Sequence, residues 1–142
     1  MAKRSPVTPA IRVLRSHGVA FKSATYPYVE KGGTRASSAA LGVSEHHVIK
    51  TLVFETSERE PVIILMHGDC SVSAKAFGRA LGVRSVDPMR PEKAQKTTGY
   101  SVGGTSPFGT RTACRVFVEA SILELDAVWV NGGKRGFLVH LN

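Results

Sequence analysis

The hydrophobic and polar positions of this chain change period several times, and each change marks an element. Ala10, Ile11 and Leu14 recur at helical spacing after Thr8-Pro9, a hydroxyl cap with proline in the first turn, and before the stop residue Gly18. A first helix is predicted there. VAFKSATY (19–26) then has strand character, with Val19 and Phe21 on one face. A glycine turn at 32–33 precedes a second short helix over 34–41, ended by Gly42, and Ser44 is placed to cap one more turn in SEHHVI. Period two takes over in KTLVFE (50–55), where Lys50, Leu52 and Phe54 alternate with Thr51, Val53 and Glu55.

PVIILMHGD (61–69) is nearly continuous in apolar residues and reads as a buried strand. SAKAFGRALG (73–82) returns to helical spacing, with Ser73 as cap, Ala76, Phe77, Ala80 and Leu81 as the apolar stripe and Gly82 as stop. Pro91 opens a short helix, PEKAQKT, before Gly99. Three strands are predicted to close the chain, in RVFVE (115–119), AVWVN (127–131) and GFLVHL (136–141). Helices concentrate in the first two-thirds and strands in the last third, so the pattern predicts an α+β domain with a mixed or largely antiparallel sheet. No internal repeat, low-complexity tract or linker divides it, and residues 1–142 read as one domain behind a short mobile polar lead at 1–7.

Composition adds a charge argument. At 142 residues, folding buries roughly two-thirds of the unfolded chain's surface, enough for a core without staples. A hydrophobic share of 42% with 21% charged residues excludes disorder across the chain. Nineteen Lys+Arg against eleven Asp+Glu leave a formal net charge of +8. That excess attracts polyanions, with nucleic acid the leading partner, though solubility charge alone also accounts for it. No Lys/Arg block exceeds two residues, so this is not a basic tail. Cys70 and Cys114 have no C-x-x-C partner and no histidine pair at zinc spacing. Without a signal peptide or an apolar run of about 18 residues, the expectation is a soluble cytoplasmic protein with reduced cysteines, no membrane contact, no metal and no cofactor.

Three groups carry possible chemistry. Lys50 shares a strand face with Leu52 and Phe54, so its amine either snorkels to the sheet edge or stands at a pocket mouth as a cation for a phosphate or ester oxygen. Gly103-Gly104-Thr105-Ser106-Pro107, inside GYSVGGTSPFGTR, lets backbone approach a ligand without Cβ obstruction and can line an anion site or oxyanion hole. Its plain alternative is a hairpin connection between SV and RVFVE. His67-Gly68-Asp69-Cys70 gathers a base, an acid and a thiol; it reads as a turn leading to the Ser73 cap, with a cysteine nucleophile as the alternative. His46 and His47 are sequence neighbours, so their side chains diverge and do not suggest a metal site.

TPAIRVLRSHGVAFKSATY, GVSEHHVIKTLVF, TTGYSVGGTSPFG and the closing VNGGKRG stand together in an order and spacing that resembles the bacterial YbaK/EbsC aminoacyl-tRNA deacylases. These are free-standing relatives of the editing domain inserted in bacterial prolyl-tRNA synthetases, and the resemblance covers residues 8–141. It implies a mixed sheet curled into a partly closed barrel with flanking helices. It also implies clearance of mischarged tRNA in trans, above all Cys-tRNA(Pro) and also Cys-tRNA(Cys), because binding alone separates small side chains poorly. By motif, Lys50 of VIKTL matches the family's functional lysine, with Thr51 beside it, and would hold the 3′-terminal adenosine end of tRNA. Gly103 and Pro107 match the G-x-x-x-P loop, whose amides around Gly103, Gly104, Thr105 and Ser106 would face the aminoacyl ester. Tyr26 matches a pocket aromatic, and Asn131 and Gly132 open the second glycine loop.

In the cysteine-specific members the substrate's own thiol is held to attack its ester, which fits a chain with no convincing nucleophile, base and acid set. Asn131 stands where serine is frequent and Leu138 where that type often has aspartate. The alternatives are therefore a deacylase for another small amino acid using water, a non-catalytic tRNA- or synthetase-binding module, and a hydrolase built on Cys70. A ternary complex with prolyl-tRNA synthetase and tRNA is a further expectation.

Overall fold

The computed structural model describes residues 5–142, so residues 1–4 of the polar lead lie outside it. Helix α1 (Pro9–Ser16) begins where the sequence places it: Thr8 Oγ1 accepts from the Ile11 amide at 3.2 Å, and the same hydroxyl donates to the Gly132 carbonyl. Eight residues make a helix that is marginal in isolation. Its Ile11 and Leu14, 1% and 3% exposed, are buried in one cluster with Ile49, Val130, Phe137 and Val139. Burial of each such side chain contributes about 1.5–3 kcal/mol, which decides in favour of the helix.

Strands β1 (Lys22–Thr25), β2 (Val48–Thr56), β3 (Pro61–His67), β4 (Val86–Pro88), β5 (Arg115–Val118), β6 (Val128–Lys134) and β7 (Phe137–Leu141) form one sheet. Its path runs β1-β7-β6-β2-β3-β5, with β4 paired to β2. The β1–β7, β6–β7, β2–β3 and β2–β4 pairs are antiparallel, while β2–β6 and β3–β5 are parallel. The mixed, mostly antiparallel α+β architecture agrees with expectation; the sheet does not close, and its path ends at β1 and β5.

Alternation along β2 and β3 divides the core in two. Ile49 joins the α1 cluster, with Leu65 packed against it. Leu52, Phe54, Val62 and Ile64 face the other way, onto Phe77 of helix α3 (Ala74–Leu81). Helices α2 (Gly33–Leu41) and α4 (Pro91–Thr98) complete the set.

Several local expectations change. In α3, Ala76 and Ala80 are exposed, and the buried stripe is Phe77 with Gly78, flanked by Ala74 and Leu81. The turn after α2 is a 3-10 turn, Glu45–His47, and the Ser44 side chain does not cap it. Strand β4 and a 3-10 turn at Ala120–Glu124 have too few residues to show a period, and both went unpredicted. The NGG run is not a turn: it lies within β6, where the register to β7 shifts between Asn131 and Lys134. Residues 99–114 form no hairpin and cross as an irregular loop between α4 and β5.

Thr8 ties α1 to that bulge, so Thr8→Ala should lose about 1–3 kcal/mol in denaturant unfolding, from the cap and the carbonyl left unpaired. Thr8→Ser should keep most of it. Equal stability of Thr8→Ala and the parent protein would remove this tie from the fold.

Candidate functional site

The site begins with a break in strand pairing. On the edge of β2 away from β3, the parallel ladder to β6 covers Val48 and Ile49, and the antiparallel ladder to β4 begins only at Phe54. Residues 50–53 have no strand on that side. The Val48 carbonyl accepts from Gly68 on the β3 side at 2.7 Å, and the Val53 carbonyl accepts from Met89 on the open side at 3.0 Å. By strand alternation the Thr51 amide and carbonyl also face the opening. Thr51 Oγ1 is the one buried side-chain N or O atom among the described residues without a hydrogen-bond partner. An orphaned buried hydroxyl costs about 1–3 kcal/mol, so Thr51 is held here at an energetic cost on the open strand edge.

A cavity of about 560 Å³ lies over this break. Residues of α2 and the Tyr26–Lys31 segment form one side, Met89, Pro91 and Ala94 another, and Val102, Gly103, Thr105, Asn131, Arg135 and Leu138 close it. Lys31, Lys50 and Arg135 face a single acid, Glu30, in the lining, so the cavity carries a positive surplus suited to an anionic ligand. A second cavity of about 380 Å³ between α3 and β4 contains none of the predicted site residues.

Six of those residues meet in the large cavity: Tyr26, Lys50, Thr51, Gly103, Thr105 and Asn131. Lys50 is half-buried, and its Nζ donates to the Cys70 carbonyl, which holds the ammonium at the strand edge. Burial pushes the Tyr26 hydroxyl up, against a hydrogen bond with Ser37, so the phenol stays protonated at neutral pH. Gly103 has φ +85°, and a Cβ there would stand 2.6 Å from Tyr28 Oη. Only glycine satisfies both the backbone and the ring.

Two side chains fasten the Gly103 loop to the β6–β7 hairpin. Asn131 Nδ2 donates to the Gly103 carbonyl at 3.2 Å while its Oδ1 accepts from Gly133 N at 2.7 Å and Lys134 N at 3.2 Å. Arg135 Nε donates to the Val102 carbonyl at 2.7 Å, and its guanidinium lies 5.1 Å from the Tyr28 ring centroid. With the loop so held, the Gly104 amide is consumed by the Ser101 carbonyl at 2.8 Å. The Gly103 and Thr105 amides have no acceptor among the described residues. With the Val102 amide, equally without an acceptor, they are the amides of cavity-lining loop residues left free for an anion.

Four predicted residues lie outside the lining. Gly104 is packed on the Lys134–Arg135 backbone, where a Cβ would stand 2.7 Å from Arg135 N. Gly132 lies against Phe137, 2.5 Å from where its Cβ would sit. Ser106 is 0% exposed and accepts from the Phe108 amide at 3.2 Å, and Pro107 is buried beside it. These residues shape the walls from behind. Tyr28 and Arg135 were missed, because a tyrosine in a polar loop and an arginine in a hairpin turn have no periodic signature. Leu138, 4% exposed, does reach the cavity.

The HGDC group is not a catalytic set. His67 is 2% exposed, its Nδ1 donates to the His46 carbonyl at 2.7 Å, and its Nε2 meets Ser121 Oγ at 2.7 Å. The Glu119 carboxylate bonds Ser121, not the Nδ1 that a triad acid would orient. Burial, then the neighbouring Asp69 carboxylate, pushes the Cys70 thiol up, the wrong direction for a nucleophile at neutral pH. Cys70 also lies outside the cavity lining.

Comparison with known proteins bears on this geometry. A model of the aminoacyl-tRNA editing domain matches residues 32–142. A provisionally named Cys-tRNA(Pro)/Cys-tRNA(Cys) deacylase, EbsC of Enterococcus faecalis, is 28% identical over 140 residues, covering 98% of this chain and 85% of that protein. A proline–tRNA ligase of Nitratidesulfovibrio vulgaris is 37% identical over 98 residues, 69% of this chain but 17% of the ligase. Among solved structures, a provisionally assigned trans-editing enzyme for prolyl-tRNA synthetase superposes with a TM-score of 0.83 at 22% identity, over 96% of this chain and 88% of that one. At that identity the superposition speaks for the fold.

The loop clamp can be tested without a ligand. Asn131→Ala should speed hydrogen exchange of the Gly104 amide, the bonded one in the loop, by about tenfold, while global stability falls by only about 1 kcal/mol. Gly103→Ala should cost about 1–2 kcal/mol and displace the Tyr28 ring. Unchanged exchange in Asn131→Ala would show that the loop is held by something else.

Proposed function

We propose, from the premise that this chain belongs to the aminoacyl-tRNA editing domain family, that it is an aminoacyl-tRNA deacylase clearing mischarged tRNA in trans. The observation that carries this reading is the set of unengaged amides, Gly103 and Thr105 among them, on residues that line a cationic cavity over an open strand edge. An ester carbonyl seated against them gains hydrogen bonds as its oxygen becomes negative, which is the requirement for acyl transfer. Lys50, at the mouth of the same cavity, meets the phosphate and ribose of the terminal nucleotide.

Cys-tRNA(Pro) is the first substrate, and Cys-tRNA(Cys) the second. No cysteine lines the cavity and no histidine is there to activate its hydroxyls, and Thr105 Oγ1 donates to the Ser101 carbonyl, so the substrate's thiol serves. Its sulfur bonds to the ester carbonyl carbon, the bond from that carbon to the ribose oxygen breaks, and the thiol proton ends on the ribose oxygen. The product is a cyclic thioester that water opens to cysteine. The protein's part is to hold the thiol near the carbonyl and stabilise the oxyanion, both large terms when preorganised. Tyr26, protonated, is available as a donor at the pocket wall.

A second reading rests on Leu138. With Leu52, Met89 and Ala94 it makes part of the lining apolar, a surface that accepts a small uncharged side chain such as alanine's equally well. Water then attacks the ester in place of the thiol. A complex with prolyl-tRNA synthetase supplies tRNA selection that a small pocket lacks. This arrangement is supported by the ligase similarity and is tested by co-migration of the three components. Among the described residues no helix is long and apolar enough to cross a membrane.

Incubation with Cys-tRNA(Pro), Ala-tRNA(Pro) and Pro-tRNA(Pro) is expected to clear the cysteinyl ester well above its uncatalysed rate and to leave the prolyl ester. Preferential loss of the alanyl ester selects the second reading. Binding without loss of any ester identifies a non-catalytic module and overturns both. Lys50→Ala should lower turnover by about 10²-fold, the scale for removing one electrostatic contact at a reacting centre, with stability within about 1 kcal/mol of the parent. Unchanged turnover would take Lys50 out of the site.

A further inference from the structure

We propose that His46, Asp69 and Cys70 form a binding site for a divalent cation of the Zn²⁺ class, and that its occupation loosens the anchor of Lys50. The three residues come from two turns that the fold brings together at one end of β2 and β3. One ligand atom from each lies within 4.8 Å of the others. Cys70 Sγ is 3.4 Å from Asp69 Oδ1, and His46 Nδ1 is 2.8 Å from the same oxygen.

Tetrahedral zinc, with bonds of about 2.0–2.3 Å, sets neighbouring ligand atoms about 3.3–3.5 Å apart. The sulfur–oxygen pair already has that spacing. The nitrogen–oxygen pair is closer only because a proton, not a cation, lies between them, and it must open by about 0.5 Å. A thiolate, an imidazole and a carboxylate together suit Zn²⁺ or Co²⁺ and disfavour Mg²⁺ or Ca²⁺. Three protein ligands leave a fourth position to solvent, which half-exposed His46 and Asp69 can reach.

The turns are rigid where a metal site needs them to be. The His46 ring stacks on buried His67 with centroids 3.7 Å apart and planes 4° from parallel. The backbone carbonyl of His46 accepts from His67 Nδ1 at 2.7 Å, and the Cys70 amide donates to the His67 carbonyl at 3.0 Å. His46 is thereby held by the buried His67 ring and Cys70 by the His67 backbone, outer contacts of the kind that orient metal ligands. The whole protein carries a net charge of +8 and repels cations in general, so uptake must rest on these local donors.

The link to Lys50 is the Cys70 carbonyl, which accepts from its Nζ. A divalent ion that displaces one thiol proton adds one net positive charge within a few ångströms of that ammonium. Repulsion drives Nζ off the carbonyl, and the lysine loses its fixed position at the cavity mouth. The consequence for turnover rests on the deacylase reading above; binding of the ion does not.

Titration of the purified protein with Zn²⁺ alone, followed by calorimetry, is expected to give one ion per chain. Co²⁺ should give a thiolate-to-metal charge-transfer band. Cys70→Ser and His46→Ala should each weaken binding at least tenfold and abolish the band, with Asp69→Asn intermediate, while Cys114→Ser binds like the parent. Thermal unfolding without metal checks that each variant is folded. No uptake, or uptake indifferent to Cys70→Ser and His46→Ala, overturns the site. In the deacylation assay Zn²⁺ should slow the parent and leave Cys70→Ser unaffected. Binding at these residues with unchanged parental turnover overturns the link to Lys50, and absence of deacylation without metal is instead a failure of the functional reading.

Discussion

The structure depends on one strand having two partners on the same edge. Strand β2 is nine residues long, and no neighbour on its outer edge runs its full length: β6 takes the beginning and β4 the end. Backbone N–H and C=O groups demand partners when shielded from water. A gap in such an edge is therefore either solvated or built for a ligand. Here the gap underlies the larger cavity, contains the orphaned Thr51 hydroxyl, and has Lys50 at its start. The parallel β2–β6 pairing is what creates it, because β6 turns into its bulge at Asn131 and leaves the strand beside Lys50 uncovered.

The glycine loops serve that gap in different ways. Gly103 is permissive: its positive φ brings backbone amides to the cavity and its missing Cβ makes room for Tyr28. Gly104 and Gly132 are spacers, present because the Arg135 backbone and the Phe137 ring occupy the space a side chain would need. Asn131 and Arg135 then join the two loops by hydrogen bonds to adjacent carbonyls, Gly103 and Val102. Those contacts take up loop carbonyls, while the loop's own Ser101 carbonyl takes up the Gly104 amide.

Much of this was legible from sequence. Thr8, Gly42, Ser73, Gly82 and Pro91 stand at or beside the helix ends that their chemistry predicts, since caps and stops act over one turn. Period two placed Lys50 correctly on the Leu52 and Phe54 face. What could not be read depends on register between distant segments. The β2–β6 pairing joins residues about eighty positions apart and leaves no local mark, so neither the gap nor its width was visible. For the same reason the glycine-rich stretch did not reveal which of its amides are consumed internally. His46, Asp69 and Cys70 converge through tertiary packing alone, and spacing rules for metal ligands pass over them.

The central claim is that the open edge of β2 and the Gly103 and Thr105 amides bind an aminoacyl ester. Its most direct test is an amide NMR titration with a cysteinyl-adenosine analogue whose 3′ ester oxygen is replaced by nitrogen, so that it binds without turning over. The signals of Thr51, Gly103 and Thr105 should move together and saturate with one ligand, while Gly82–Val86 beside the smaller cavity stay still. Shifts centred on that α3–β4 surface, or none at Gly103 and Thr105 when the ligand is in excess, would contradict the claim.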